Sequence, residues 1–335
     1  MIDTQTALEV ISKISSDTLE EIIDIQEYKF YYQPDTERYV LQKQDNSDVF
    51  VFPEMFLWPR QQICKLAKVP HNFFEKNPIL LKEQMAEVWF PTLKNPDLLI
   101  KYNLVGDSKI IRAILPSNYA TITTSFILTE FLRVFSGPEF QMISLEGTDL
   151  DSLFTHFRII DTTKYILAEN RKFYLGYLAI CSEIDNGADI ILNTCLVDLE
   201  NNLSILPIYS DNFYYESKYR GNFLTGAITE CLDSIYSRME SDFNYLKSKI
   251  ENIVSETYDE DKVRVFLKDL KDIKGMPIKF FRTLETDILE NIGDYTNLFS
   301  LVLKISENSL SANSLKQRLN YETLCGKLLN LDLDK

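Results

Sequence analysis

The chain has 335 residues, 45% hydrophobic and 25% charged, a globular composition large enough for one large or two ordinary domains and unlike that of a disordered chain. Its formal charge is −15 and no third of it is basic: residues 1–100 carry 10 Lys/Arg against 16 Asp/Glu, residues 101–250 carry 13 against 19, and residues 251–335 carry 12 against 15. A uniformly basic nucleic-acid binder is thereby excluded, so any such surface must be a local groove.

No apolar run reaches the length of a membrane span, and Met1-Ile2-Asp3-Thr4 does not open a secretory signal. Residues 3–28 place Leu8, Val10, Ile11, Ile14, Leu19, Ile22 and Ile23 at roughly helical spacing. Short strands are predicted at 28–32, 38–41 and 49–52. Pro59 opens a helix to Lys68, the chain turns at Val69-Pro70 into a second short helix, and residues 78–90 form a third. The order helix, turn, helix is shared by DNA-binding units, but the second helix lacks base-reading Arg, Asn or Gln, so a packing unit is expected. Residues 98–105 and 108–115 form a β-hairpin around Gly106-Asp107. Thr123 or Thr124 caps a helix to Phe135, stopped by Gly137-Pro138. Strands at 140–145 and 153–160 follow.

Residues 171–221 hold the chain's strongest strand pattern, with breaks at Asp185-Asn186-Gly187 and Glu200-Asn201-Asn202, which reads as an antiparallel meander. Helices are predicted at 222–256, 259–273, 278–291, 295–308 and 311–330. The fold class expected is α+β, a curved antiparallel sheet with packed helices followed by a C-terminal helical region. The expected divisions are an α/β lead-in with a helical unit (1–95), a sheet core with a long helix (96–255) and C-terminal helices (256–335).

The five cysteines are scattered, odd in number and without a Cys-x-x-Cys pair, the pattern of reduced, mostly buried thiols. Cys181 and Cys195 are placed to face each other across a hairpin. The two histidines, His71 and His156, are isolated; the first reads as a turn residue and the second as a packed or surface strand residue. Neither they nor the cysteines make a zinc site, and no phosphate-binding glycine loop or nucleophile elbow occurs, so no cofactor is expected. Acidic pairs stand at Asp149/Asp151, Glu183/Asp185 and Asp259–Asp261. Acids near strand ends serve two-metal nucleases, but a turn places the same residues for local hydrogen bonds.

Strand-borne cations with aromatic neighbours are the positive candidates: Lys101, Lys109, Arg112 with Tyr119, Arg158, Arg171 and Lys172 with Tyr174, and Lys218 and Arg220 with Tyr219. Residues of one strand parity share a face, and cations beside rings that stack bases suit sequence-tolerant binding of a single strand. The alternative is an ordinary solvated sheet face with tyrosines at its rim.

Four stretches in order resemble the phage- and plasmid-related protein family, known chiefly as a domain of unknown function. They are Gln61-Gln62 to Pro70, Arg112-Ala-Ile-Leu-Pro-Ser-Asn-Tyr119, Gly176 through Ser182-Glu183 to Cys195, and Tyr295 through Glu322 to Gly326. The chain departs from that pattern at Cys181, where the family has Asn, in lacking Asn-Gly after the Cys, and at Tyr219-Arg220-Gly221, where His-Arg-Gly is usual. The resemblance implies a mobile element in a bacterial cytoplasm and no established activity. A curved sheet followed by a long helix also resembles single-strand annealing proteins at the level of fold. The expected function is non-enzymatic, annealing-like binding of single-stranded nucleic acid by a homo-oligomer. The alternatives are a protein-interaction or anti-defence factor with an acidic surface and a metal-dependent nuclease using Glu183 and Asp185.

Overall fold

Two six-stranded sheets organise the chain. The structure is a computed structural model and describes residues 17–54, 57–119, 122–146, 155–182, 190–206, 214–217, 224–272, 278–311 and 315–329, together with Thr6 and Glu9. The first sheet contains β1 (Thr18–Asp24), β2 (Tyr28–Gln33), β3 (Arg38–Lys43), β4 (Val49–Val51), β5 (Asp97–Val105) and β6 (Ser108–Pro116) in the order β1-β5-β6-β4-β3-β2. All its pairs are antiparallel except β4 with β6. Gly106 takes φ +61° at the predicted hairpin turn, a left-handed value glycine adopts without steric cost.

Between β4 and β5 lie α1 (Trp58–Leu66), α2 (His71–Lys76) and α3 (Ile79–Trp89). They cover one face of the sheet, where Phe30, Leu41, Phe50, Ile100 and Ile111 meet Ile63, Phe74, Ala86 and Phe90. This is the packing unit expected from sequence. The N-terminal helix predicted over 3–28 is not what residues 18–24 form. Glu21-Ile22-Ile23-Asp24 pairs along β5 from Thr18↔Asn103 to Asp24↔Asp97, and cross-strand pairing of a β-branched run overrides the helical spacing.

The second sheet is formed by β7 (Phe140–Glu146), β8 (Thr155–Ala168), β9 (Arg171–Cys181), β10 (Ile190–Asp198) and β11 (Leu203–Ile205), with β12 (Tyr214–Ser217) also on β10. Strand β8 runs longer than predicted because it carries a bulge. Pairing with β9 shifts between Ile160 and Tyr165, and the buried Asp161 accepts from the Thr163 N–H at 2.8 Å and from Lys164 Nζ at 3.1 Å. That local turn bends the strand without ending it. Glu169 and Asn170 both have positive φ in the two-residue β8–β9 turn.

The helices after β6 are α4 (Thr124–Val134), capped by Thr123, then α5 (Leu224–Ser255), α6 (Glu260–Asp272), α7 (Ile278–Glu290), α8 (Leu298–Ser309) and α9 (Leu315–Leu328). One core joins Leu99 and Leu115 of the first sheet, Phe131 of α4, Phe157 and Tyr177 of the second sheet, and Phe266, Phe299 and Leu328 of the later helices. The α+β class holds. The expected boundary at 95/96 cuts through the first sheet, since β5 and β6 lie between β1 and β4. The last helices are likewise built into the shared core. Among the described residues no helix is long and apolar enough to cross a membrane.

Cys181 and Cys195 do not face each other. Cys195 stands opposite Gly176 and packs in a different cluster from Cys181. A Cβ on Gly176 would lie 2.8 Å from Cys195 Sγ and 3.2 Å from the Ile159 carbonyl oxygen. Gly176→Ala is expected to destabilise by about 1–3 kcal/mol, with partial recovery when Cys195→Ala is added, as read from urea midpoints.

Asp242 is buried on α5, and loss of water pushes its pKa up to about 6, with Arg238 opposing that rise. The folded chain therefore binds this proton more tightly than the unfolded chain, whose carboxyl titrates near 3.8. The contribution is present below that value and is lost as pH rises through about 6. Asp242→Asn should stabilise the fold at pH 7 by roughly 1–3 kcal/mol, an advantage that disappears below about pH 4 in chemical denaturation across a pH series.

Candidate nucleic-acid interface

The sequence-predicted cations divide between the two sheets, and most are held inside. Lys101 is only 1% exposed; it stands opposite Glu20 in the β1–β5 register, and its Nζ lies 2.8 Å from that carboxylate. Lys109 lies 2.8 Å from both Glu21 and Asp48, over the rings of Phe50 and Tyr102. Burial opposes its charge, but the two carboxylates raise its pKa overall. Arg112 is buried and donates to Thr18 Oγ1 at 2.7 Å. Tyr119 is buried in the shared core and offers no stacking face.

On the second sheet, Arg158 is buried against Glu322 of α9, which also accepts from Arg318 Nε at 3.2 Å. Arg171 reaches Glu307 of α8 at 2.6 Å and lies 3.7 Å from Asp198. A surface that tracks phosphates needs cations whose charge faces solvent. Lys101, Lys109, Arg112, Arg158 and Arg171 instead satisfy acceptors within the fold, so the expected common groove does not form from them. Lys218, Tyr219 and Arg220 lie outside the described residues, as do Glu183, Asp185, Asp149 and Asp151.

Lys172 and Tyr174 keep an outward arrangement. Lys172 Nζ lies 4.0 Å from the ring centroid of Tyr165 and 4.6 Å from that of Tyr174, and the two rings oppose each other across β8 and β9. A hydrogen bond with the Tyr174 hydroxyl raises the lysine's pKa. Leu167, opposite Lys172, is 69% exposed. The contribution of Tyr165 was not legible in the sequence because the strand was expected to end at Ile160. With β8 continued past its bulge, parity brings Tyr165 beside Lys172.

Other chemistry is muted. His156 is fully buried, neither ring nitrogen has a hydrogen-bond partner among the described residues, and burial together with Arg158 and Arg318 lowers its pKa well below the ordinary imidazole value. Burial pushes the Cys64 and Cys195 thiols up to about 12 and Cys231 up to about 11, away from the thiolate form a nucleophile needs. Among the described residues no group of three His, Cys, Asp or Glu side chains is placed to hold a metal ion. A crevice lined by Phe30, Ile63, Cys64, Phe74, Trp89 and Phe90 holds about 10 Å³, the space of one water.

A charged cluster that sequence reading missed lies in the helical unit. Glu75 accepts from Arg60 Nε at 2.8 Å and Lys82 Nζ at 3.2 Å, and both cations sit over the Tyr39 ring. Burial opposes the Glu75 charge, but these two partners lower its pKa overall. Comparison of the chain with protein-family models, curated proteins and solved structures finds no match in any of the three.

Removing one member of the Arg158–Glu322 pair leaves the other charge buried. Glu322→Leu or Arg158→Met alone should therefore cost about 3–5 kcal/mol, while the two changes together should cost less than either single change. Urea denaturation of the four proteins in this cycle checks the order.

Proposed function

We propose that this chain is a non-enzymatic protein-interaction factor whose exposed charge is acidic. The observation carrying this reading is the fate of the sheet cations. Lys101, Lys109 and Arg171 are held by carboxylates on β1, the β3–β4 turn, β10 and α8, and Arg158 is held by α9. Among the described residues five cations and four carboxylic acids are buried: Arg60, Lys82, Lys101, Arg112 and Arg158 against Asp161, Asp198, Asp242 and Glu322. Among these residues burial thus removes slightly more positive than negative formal charge, in a chain whose total is −15. Such a surface steers basic partners and repels phosphate backbones. The resemblance to phage- and plasmid-related chains suggests a host protein as that partner and a mobile element as the setting.

A second reading, binding of single-stranded nucleic acid, is favoured by one observation, the outward Lys172 between Tyr165 and Tyr174. A cation flanked by rings can hold one stacked base and one phosphate. The two readings separate in solution. The interaction reading expects a host protein to be retained on the immobilised chain and released as salt rises, with no retention of a labelled 30-nucleotide single strand on filters. Salt-sensitive retention of that strand, lost on Lys172→Ala or Tyr165→Ala, would replace it with the second reading.

A further inference from the structure

Helix α3 is apolar on both sides. Ala86, with Met85 and Trp89, faces the first sheet, yet Leu80 and Val88 are each 65% exposed and Leu81 is exposed on the same outward stripe. Phe73 of α2 is 55% exposed, and Ile79 adds to the same helical unit. Exposed Leu80, Leu81 and Val88, interrupted only by Gln84 and Glu87, form an outward apolar stripe of the kind that is made to be covered.

The charge around this stripe is opposite to that of the rest of the chain. Residues 58–95 contain six cations (Arg60, Lys65, Lys68, Lys76, Lys82, Lys94) and three acids (Glu75, Glu83, Glu87), a balance of +3. The remainder of the −15 chain therefore carries −18. Two of the three acids are engaged within the fold, Glu75 by Arg60 and Lys82, and Glu83 by the Tyr32 N–H at 2.7 Å. Lys65, Lys68, Lys76 and Lys94 are all exposed. The helical unit therefore carries an apolar strip and four exposed lysines within one short stretch of chain, and two such units brought together would set lysine against lysine.

The complementary chemistry is present elsewhere on the same molecule. Where α5 ends and α6 begins, Glu251, Glu256, Asp259, Glu260 and Asp261 are all exposed. Asp259 caps α6 through the Lys262 N–H, so part of this acidity serves the helix end. Val265, one turn beyond Asp261, is an exposed apolar residue at the border of that acidic stretch, where Lys262, Arg264 and Lys268 follow.

We propose that the α2–α3 face of one copy docks on the α5–α6 junction of a second copy, head to tail. Leu80, Leu81 and Val88 would cover the apolar part, and the exposed lysines would meet the acids. Each pairing leaves one unused face at either end, so the contact is heterologous and adds copies in a row unless its rotation closes a ring. Net repulsion between −15 bodies is screened beyond about 8 Å at physiological ionic strength, where contact chemistry decides the outcome.

The test is light scattering with sedimentation at about 0.15 M salt. It compares the wild-type chain, a Leu80→Asp/Val88→Asp variant and a Glu256→Lys/Asp261→Lys variant. All four positions are exposed, and unchanged circular dichroism and thermal midpoints verify the folds; Lys76→Glu/Lys94→Glu tests the lysines with the apolar residues intact. The wild-type mass should rise with concentration, and each of these three variants alone should stay at monomer mass. An equimolar mixture of the first two variants should form a one-to-one dimer that grows no further, since only one intact pairing remains between them. A wild-type chain that stays monomeric, variants that assemble like wild type, or a mixture that gives no dimer would each overturn the proposal.

Discussion

Glu322 is a fully buried carboxylate, and its placement constrains much of the second sheet. A buried charge must be neutralised or hydrogen-bonded, and this one takes both Arg158 from β8 and Arg318 from one turn earlier on α9. The pairing spans 164 residues and brings the last described helix onto the sheet's outer face. There Leu319 joins Ile160, Leu178, Cys195 and Val197 in an apolar cluster. The same α9 turns Cys325 and Leu328 toward the shared core on its other side. A face that strand parity alone would leave open to solvent is in this way covered by a helix.

Much of the fold was legible because its signals are local. The β5–β6 hairpin is marked by two alternating runs around Gly106, and α4 by Thr123 before an apolar run and Gly137-Pro138 after it. The helices from α1 to α9 fall close to their expected bounds for the same reason. What failed was non-local. The β1 segment has helical spacing on its own but pairs with β5 some eighty residues later. Lys101, Lys109, Arg112, Arg158, Arg171 and Lys172 do lie on strands, while the carboxylates that neutralise Lys101 and Arg158 come from β1 and α9, 81 and 164 positions away. Parity says which way a side chain points and is silent on what lies across from it.

The two sheets also divide polar residues differently. The first keeps its ion pairs along an edge, where Glu20 and Glu21 on β1 meet Lys101 and Lys109. Carboxylates on an edge strand discourage another chain from adding to it, which suits the exposed Leu19 and Ile22 on that strand. The second sheet places His156, Arg158, Asn193, Cys195 and Ser204 in its interior. Burial holds the Cys195 thiol and the His156 imidazole in neutral form, so this polar interior favours structure over reactivity.

The strand order of the first sheet bears on how the chain emerges during synthesis. Strands β2, β3 and β4 form a meander within residues 28–51, but their apolar face is completed by Leu98, Ile100, Tyr102, Ile111 and Ile114. Strand β4 must also wait for β6 as its parallel neighbour. In nascent chain that has not reached Pro116, Phe30, Phe50 and Phe52 therefore stand on an unfinished sheet, and the helical unit α1–α3 is made before the platform it packs on is complete. Closure of this layer is a late, long-range event, and the ribosome-bound intermediate is the state in which this fold is most open to capture by chaperones or to aggregation.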